Sequence, residues 1–405
     1  MANRWRSSTW GDEISLEYGK ALRGYDEATG QCRVFGSNGP IGWTSEPLAP
    51  GPGVILGRKG AYRGVHYSAE PFFVIDTAYY LVPKRELDMR WLYYAIKHYK
   101  LGEIDDGSPI PSTTRAAVYM LELEVPPPRE QRAIAYILGT LDDKIELNRR
   151  MSETLESMAR ALFKSWFVHF DPVRARAEGR DSRLAKHLAD LFPDSFEDSE
   201  LGEIPNGWQV GIMADVAENP RRGVRPTALD ALTPYIGLEH MPRRSIALSE
   251  WGHAETLESN KFRFQKGDIL FGKLRPYFHK VGIAPVDGVC STDILVVAST
   301  RRPWFGFVLG HMSSTAFVEH TNAGSTGTKM PRTNWQEMSR YPIVLPSEAL
   351  ADRFNRLTEP LVERIIAGIH ESRTLNTLRD TLLPKLISGE MRVKDAERLA
   401  IEEGA

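Results

Sequence analysis

Cysteine is nearly absent: Cys32 and Cys290 are the two in 405 residues. That excludes a disulfide framework and a cysteine-rich zinc site, and a reduced pair fits a reducing compartment. Long apolar runs are also missing. No window approaches the ~18 consecutive apolar residues of a spanning helix, and Met1 to Trp10 carries arginines where a signal peptide needs an apolar core. The cytoplasm is the expected compartment. Catalytic motifs are scarce too. The ten histidines show no metal-ligand spacing and no serine sits in a nucleophile elbow. There is no Asn-Pro-Pro-aromatic motif of an amino-methyltransferase, and no acidic/lysine cluster of a nuclease beyond Asp142 and Lys144, which fall in a helical pattern. Together these gaps favour a binding protein over an enzyme.

Excess charge of one sign is lacking overall, at a formal −2, yet the total hides segregation. Leu188 to Pro205 holds six carboxylates and no Lys or Arg, whereas Arg263 to Lys280 holds five cations against Asp268. Gly57 to His66 adds Arg58, Lys59 and Arg63 unopposed. Two basic islands therefore sit in different halves of the chain, either as solvated surface or as anion-facing patches.

What is present is an internal repeat. Residues 111–167 lie over 331–387 at a constant offset of 220, matching Pro111 with Pro331, Thr113 with Thr333, Pro126 with Pro346, Leu141 with Leu361 and Leu162 with Leu382. Each copy gives a Gly/Thr/Pro segment, an apolar run ending at proline, and a long helical pattern. Val118–Val125 and Tyr341–Leu345 read as strands. The first helix has a seam through Ile134, Leu138, Leu141, Ile145, Asn148, Ser152, Leu155 and Leu162. About 40 residues make such a helix roughly 60 Å long. The seams fit an antiparallel pair in which Asn148 faces Ser372, Ser152 faces Gly368 and Ile145 meets Leu375. Pro360 should kink or restart the second helix, Pro384 should stop it early, and Arg379 sits poorly on a buried seam. Ahead of each helix lie short strands, including Val54–Leu56, Phe72–Ile75, Tyr79–Val82, Asp268–Phe271 and Ile294–Ala298, so mixed α and β is expected.

Gly267 to Leu274 has the Gly, Gly and Lys spacing of a phosphate-binding loop, but Leu274 stands where Ser or Thr must bind magnesium and the interior reads as a strand. More telling are turns on which cations and aromatics interleave. Arg58, Lys59, Tyr62, Arg63 and His66 form one; Lys273, Arg275, Tyr277, His279 and Lys280 form the other. Their cations suit phosphates, and Arg suits guanine edges. Thr113, Thr114 and Arg115, with Thr328, Lys329, Arg332 and Asn334, supply further hydrogen-bonding side chains, or simply polar loops entering strands.

Phe35-Gly-Ser-Asn-Gly-Pro-Ile-Gly42, Gly53-Val-Ile-Leu-Gly-Arg-Lys-Gly60 and Ile75-Asp-Thr-Ala-Tyr-Tyr80 resemble a target-recognition domain of a Type I restriction-modification DNA specificity subunit (S subunit). Pro234–His240, Gly267–Tyr277 and Cys290–Leu295 resemble the other common form of that domain. Glu130–Ala135 and Leu141–Arg149 are similar to the family's first helical spacer, and Ser199–Trp208 to its entry into the second domain. The second helix departs in lacking the Glu-Gln-Arg start. The resemblance implies an α+β protein with two mixed α/β target-recognition domains, 1–128 and 200–346, separated by two long antiparallel helices, 129–170 and 347–392, with a charged connector at 171–199 and a tail at 393–405. It implies no catalysis and no cofactor in this chain, with AdoMet, ATP and Mg2+ in partner subunits. Double-stranded DNA bearing a bipartite asymmetric site, two methyltransferase subunits and restriction subunits are the implied partners, with helix length setting the unread gap. Met151, Met158 and Phe167 are candidates for the partner face, or for core. The alternatives are the recognition subunit of a modification-only or fused-type system, a P-loop nucleotide enzyme, and a coiled-coil adaptor.

Overall fold

The computed structural model describes residues 5–25, 30–104, 111–325 and 330–402. The chain divides into two compact units, one of residues 1–145 and 374–405, the other of 146–373. Both boundaries fall inside long helices, Pro128–Phe167 and Glu348–Ile387, so each unit owns part of each helix.

In the first unit an antiparallel sheet runs in the order Ile14–Tyr18, Ala78–Pro83, Gly53–Gly57, Val65–Ser68. Gly53–Gly57 is central and wholly buried, which explains its unbroken apolar sequence. A three-stranded sheet joins Gly39–Thr44, Cys32–Gly36 and Phe72–Val74, and Arg6–Thr9 pairs with Glu122–Val125. The helix Met89–His98, capped by the Asp88 side chain on the amides of Arg90 and Trp91, buries Trp91, Leu92 and Tyr94 beneath the sheet. Leu138 and Leu141 of the first long helix share this core with Leu375, Leu382 and Leu386 of the second, and Ile145 packs against it.

The second unit repeats the plan. Its four-stranded sheet runs Ala217–Glu218, Ile294–Ser299, Ile269–Gly272, Val281–Ile283, and Gln209–Ile212 pairs with Pro342–Leu345. A five-stranded sheet lies beside a separate core around Ile236, Phe264 and Cys290. The main core is aromatic: Phe167 lies 4.9 Å from Phe354 and 5.0 Å from Phe307, ring centre to ring centre, and Trp166 5.6 Å from Phe354. Such edge-to-face and tilted contacts add to area burial. Phe167 is therefore core, while Met158 is exposed and Met151 half-buried.

Several expectations change. Val118 and Tyr119, expected to open a strand, instead close the helical turn Arg115–Tyr119, which Thr114 caps by accepting from the Ala117 amide; of Val118–Val125 only Glu122–Val125 is extended. The second helix passes unbroken through Pro360 and Pro384, both of which face solvent. The carbonyl of Arg356, which loses its helical donor to Pro360, belongs to an exposed residue and can be hydrated. Arg379 is accommodated on the seam by Asp142, at 2.6 Å, with Asp142 also accepting from the Tyr94 hydroxyl at 2.7 Å. In the other unit Asn148 donates to Ser372 at 3.3 Å and to Glu371 at 2.9 Å, so the helix segments are antiparallel there, as the seams require. Gly368 lies against Asn148. Residues 171–199 contain two short helices and a strand that opens an acidic hairpin, Phe196–Ser199 with Gly202–Pro205. Val393–Glu402 is helical. Among the described residues no helix is long and apolar enough to cross a membrane.

Candidate nucleic-acid interface

In the first unit the chain leaves the buried strand Gly53–Gly57 at Arg58, whose amide is held by the Thr77 carbonyl at 3.0 Å. The Gly60 amide then donates to Pro111 at 3.0 Å and the Thr113 amide to Arg58 at 2.9 Å, closing a short bridge of Lys59 with Ser112. Two segments some fifty residues apart are thus brought together by backbone pairing. Arg115, the first residue of the capped turn, lays its guanidinium 4.2 Å above the Tyr18 ring, and Arg58 lies 5.0 Å from the same ring. Tyr79 stands beside Tyr18, ring centres 5.1 Å apart. The hydrogen bond from Tyr79 holds the Tyr18 phenol below its ordinary value, while burial pushes Tyr79 up to about 12. Tyr62 is 77% exposed and Lys59 is exposed.

The second unit builds the same joint. Lys273 follows the buried strand Ile269–Gly272, its amide held by Asp293 at 2.9 Å. Arg275 donates from its amide to Pro331 at 2.8 Å, Thr333 donates to Lys273 at 3.0 Å, and Leu274 bridges Arg332. Asn334 caps the turn Trp335–Ser339 by accepting from the Glu337 amide. A cavity of about 530 Å³ opens here, lined by Arg221, Lys273, Leu295, Asn334, Trp335 and Gln336 among others. Arg332, half exposed, sits 3.4 Å from Asp293. Tyr277 is 49% exposed against Phe278, on whose ring Arg243 lies at 4.1 Å and Arg275 at 5.9 Å.

Other residues singled out from sequence are occupied within the fold. Arg63 spends its guanidinium on three carbonyls, Gly60, Gly102 and Ile104. His66 packs against Phe35, and burial, with Lys97 nearby, lowers its pKa. Thr113 is buried, its hydroxyl 3.4 Å from the Leu101 and Ile104 carbonyls. His279 is buried against the Ser313 carbonyl, and burial holds it toward the neutral form. Lys280 donates to the Leu238 carbonyl, and desolvation lowers its pKa. Thr114 and Asn334 act as helix caps. Thr328 and Lys329 lie outside the described residues.

Sequence reasoning missed Tyr18, Tyr79, Arg221, Trp335 and Gln336, which reach the two sites from other strands and turns. Tyr79 carried one signal: an aromatic in the strand paired with Gly53–Gly57, opposite Leu56 and two residues short of Arg58. The phosphate-loop reading fails on structure. Ile269–Gly272 is a buried strand paired on both sides, so its amides are spent in the sheet and cannot cradle a phosphate.

Each of the two β-rich units presents cations and aromatics on a bridged pair of loops, a surface suited to binding. Comparison with known proteins points to a family. Residues 27–157 match the model of the Type I restriction modification DNA specificity domain. The chain is 26% identical over 332 residues to the MjaIX specificity subunit of Methanocaldococcus jannaschii, covering 78% of this chain and 72% of that one. It is 24% identical to the EcoDI specificity subunit of Escherichia coli, covering 96% and 88%. The crystal structure of a Type I restriction-modification S subunit from M. genitalium superimposes with a TM-score of 0.59 at 15% identity, over 95% of this chain and 96% of that one, and shares the fold. Over most of its length the chain is similar to Type I restriction-modification specificity (S) subunits.

Proposed function

We propose that this chain reads a bipartite, asymmetric site on double-stranded DNA and recruits two methyltransferase subunits and, for cleavage, restriction subunits. Residues 1–128 and 200–346 serve as its target-recognition domains, 129–170 and 347–392 as spacers, and 171–199 as connector. AdoMet, ATP and Mg2+ belong to the partners, and the work is done in the cytoplasm.

The observation that carries this reading is the repeated joint. In both units a basic residue leaves a buried strand and is locked to a Thr-containing segment by the same pair of backbone bonds, Thr113 to Arg58 with Gly60 to Pro111 in one, Thr333 to Lys273 with Arg275 to Pro331 in the other. The scaffold is repeated while its side chains differ, which is what reading two unlike half-sites requires. Exposed cations such as Lys59 and Arg332 supply phosphate contacts that fix register, and a few side chains at each joint supply sequence.

Methylation mapping tests it. DNA from cells expressing this chain with its cognate methyltransferase is expected to carry a split asymmetric methylated motif that is absent with the methyltransferase alone. An identical pattern without the chain overturns the reading.

A further inference from the structure

Strand register lays one unit over the other. Leu56 pairs with Tyr79 and Gly57 with Ala78; in the second unit Phe271 pairs with Leu295 and Gly272 with Ile294. Arg58 thus corresponds to Lys273 and Tyr79 to Leu295. The bridges of Lys59 with Ser112 and of Leu274 with Arg332 carry Arg115 onto Trp335. The outer pairings, Ile14 with Pro83 and Ala217 with Ser299, extended along the chain, carry Tyr18 onto Arg221. Four equivalent places therefore hold Tyr18, Arg58, Tyr79 and Arg115 in one unit, and Arg221, Lys273, Leu295 and Trp335 in the other.

Their contents differ in kind. The second unit leaves an open cavity of about 530 Å³. In the first, two guanidinium groups share the Tyr18 and Tyr79 rings, Arg115 at 4.2 and 5.9 Å and Arg58 at 5.0 and 5.8 Å. Stacking on aromatic faces fixes the plane of each guanidinium, so the donor fork is set before any ligand arrives. The inner Nε atoms of both Arg58 and Arg115 are buried in the stack without a partner among the described residues, and Arg58 also engages the Tyr18 and Tyr79 hydroxyls. Arg115 keeps 35% of its side chain exposed and is paired with the Glu17 carboxylate at 3.7 Å, outside hydrogen-bond range, so it is the exposed part of its fork that is open to a ligand. Two guanidinium charges beside one carboxylate leave a net positive site that favours an acceptor from outside. The DNA edge that offers two acceptors at fork spacing is guanine, through O6 and N7.

Resting on the DNA-reading function proposed above, we infer that Arg58 and Arg115 are specificity-determining residues that read a G·C pair in the half-site taken by the first unit, with Tyr18 and Tyr79 as positioning residues. A phosphate would satisfy the same donors, but it would carry no base choice.

The test is methylation mapping of the chain with its cognate methyltransferase, for the parent, Arg115→Gln and Arg115→Lys. The parent motif is expected to contain a G·C pair in the half-site that responds. Both variants are expected to relax that one position, with about a tenfold loss of preference for G·C, and to leave the other half-site unchanged. Lysine keeps the charge but lacks the planar fork, so its failure to restore preference separates reading from charge. A parent motif without G·C in either half overturns the inference, as does an unchanged motif in both variants. Weakening at all sites alike, rescued by Arg115→Lys, assigns a phosphate contact and also overturns it. Should both variants abolish methylation, the purified complex is titrated with duplexes carrying G·C or A·T at that position: equal affinities in Arg115→Lys against a preference in the parent support the inference, and a retained preference overturns it. A parent methylation pattern that does not depend on this chain removes the underlying DNA-reading function instead.

Discussion

At the scale of the residue, composition located the basic turns but not what their side chains do. Arg58 and Arg63 look alike in sequence, yet one stacks on a tyrosine and the other is consumed by three carbonyls. The difference lies in partners supplied from elsewhere in the chain, Gly102 and Ile104 for Arg63, Tyr18 and Tyr79 for Arg58, which no local window contains. Glu13 shows how strongly such partners act. Its side chain is fully buried, accepts two bonds from Arg6 at 2.6 and 2.9 Å and one from Ser8 at 2.6 Å, and lies 3.9 Å from Arg85. The bond from Arg6 is the main reason its pKa is lowered. A lowered carboxyl stabilises the fold above the ordinary carboxylate range and loses that contribution as pH falls through the lowered value. Glu13→Gln is therefore expected to cost about 2 kcal/mol at pH 7, with the gap to the parent closing below about pH 4.5. Urea denaturation at pH 7 and pH 3.5 checks it; the same gap at both would show that charge is not the cause.

At the scale of the element, periodicity and breakers decided what could be read. The strands 53–57, 78–83, 269–272 and 294–299 are legible because β-branched and aromatic residues crowd buried, two-sided positions. Val118 and Tyr119 misled because the apolar run of the strand continues back through them without a break, and the Thr114 cap draws them into a helical turn instead. Proline misled in the opposite direction. Pro360 removes an amide donor and normally costs a helix interior roughly 3 kcal/mol, yet packing of Val362, Ile365 and Ile366 into the core carries the helix through it. The penalty is still present in the folded state. Pro360→Ala is accordingly expected to restore the bond to the Arg356 carbonyl and stabilise the protein by about 1–2 kcal/mol, seen as a melting temperature higher by a few degrees with an unchanged methylated motif. A lower melting temperature would show that the ring itself is needed in the packing.

At the scale of the molecule, the repeat was legible in its helical part because the seams tolerate no insertions, so an offset of 220 survives over some fifty residues. It was hidden in the sheets, where strand register gives an offset of 216 for Ala78 and Ile294 and of 215 for Gly57 and Gly272. Loops between strands gain and lose residues without disturbing pairing, whereas a helix seam that loses one residue turns its apolar face away. That asymmetry bears on the proposed function, because it makes helix length a quantity the protein cannot change in single steps. A heptad is the smallest deletion that returns the seam to its phase. Removing seven residues from each long helix, centred near Ser152 and Gly368, takes away roughly 10 Å of helix, the rise of about three base pairs at ~3.4 Å each. The methylated motif is expected to keep both half-sites and lose about three unread positions between them. A motif with its original gap would show that helix length does not measure the site, and a motif that changes in either half would show that the recognition residues do not act independently of the helices.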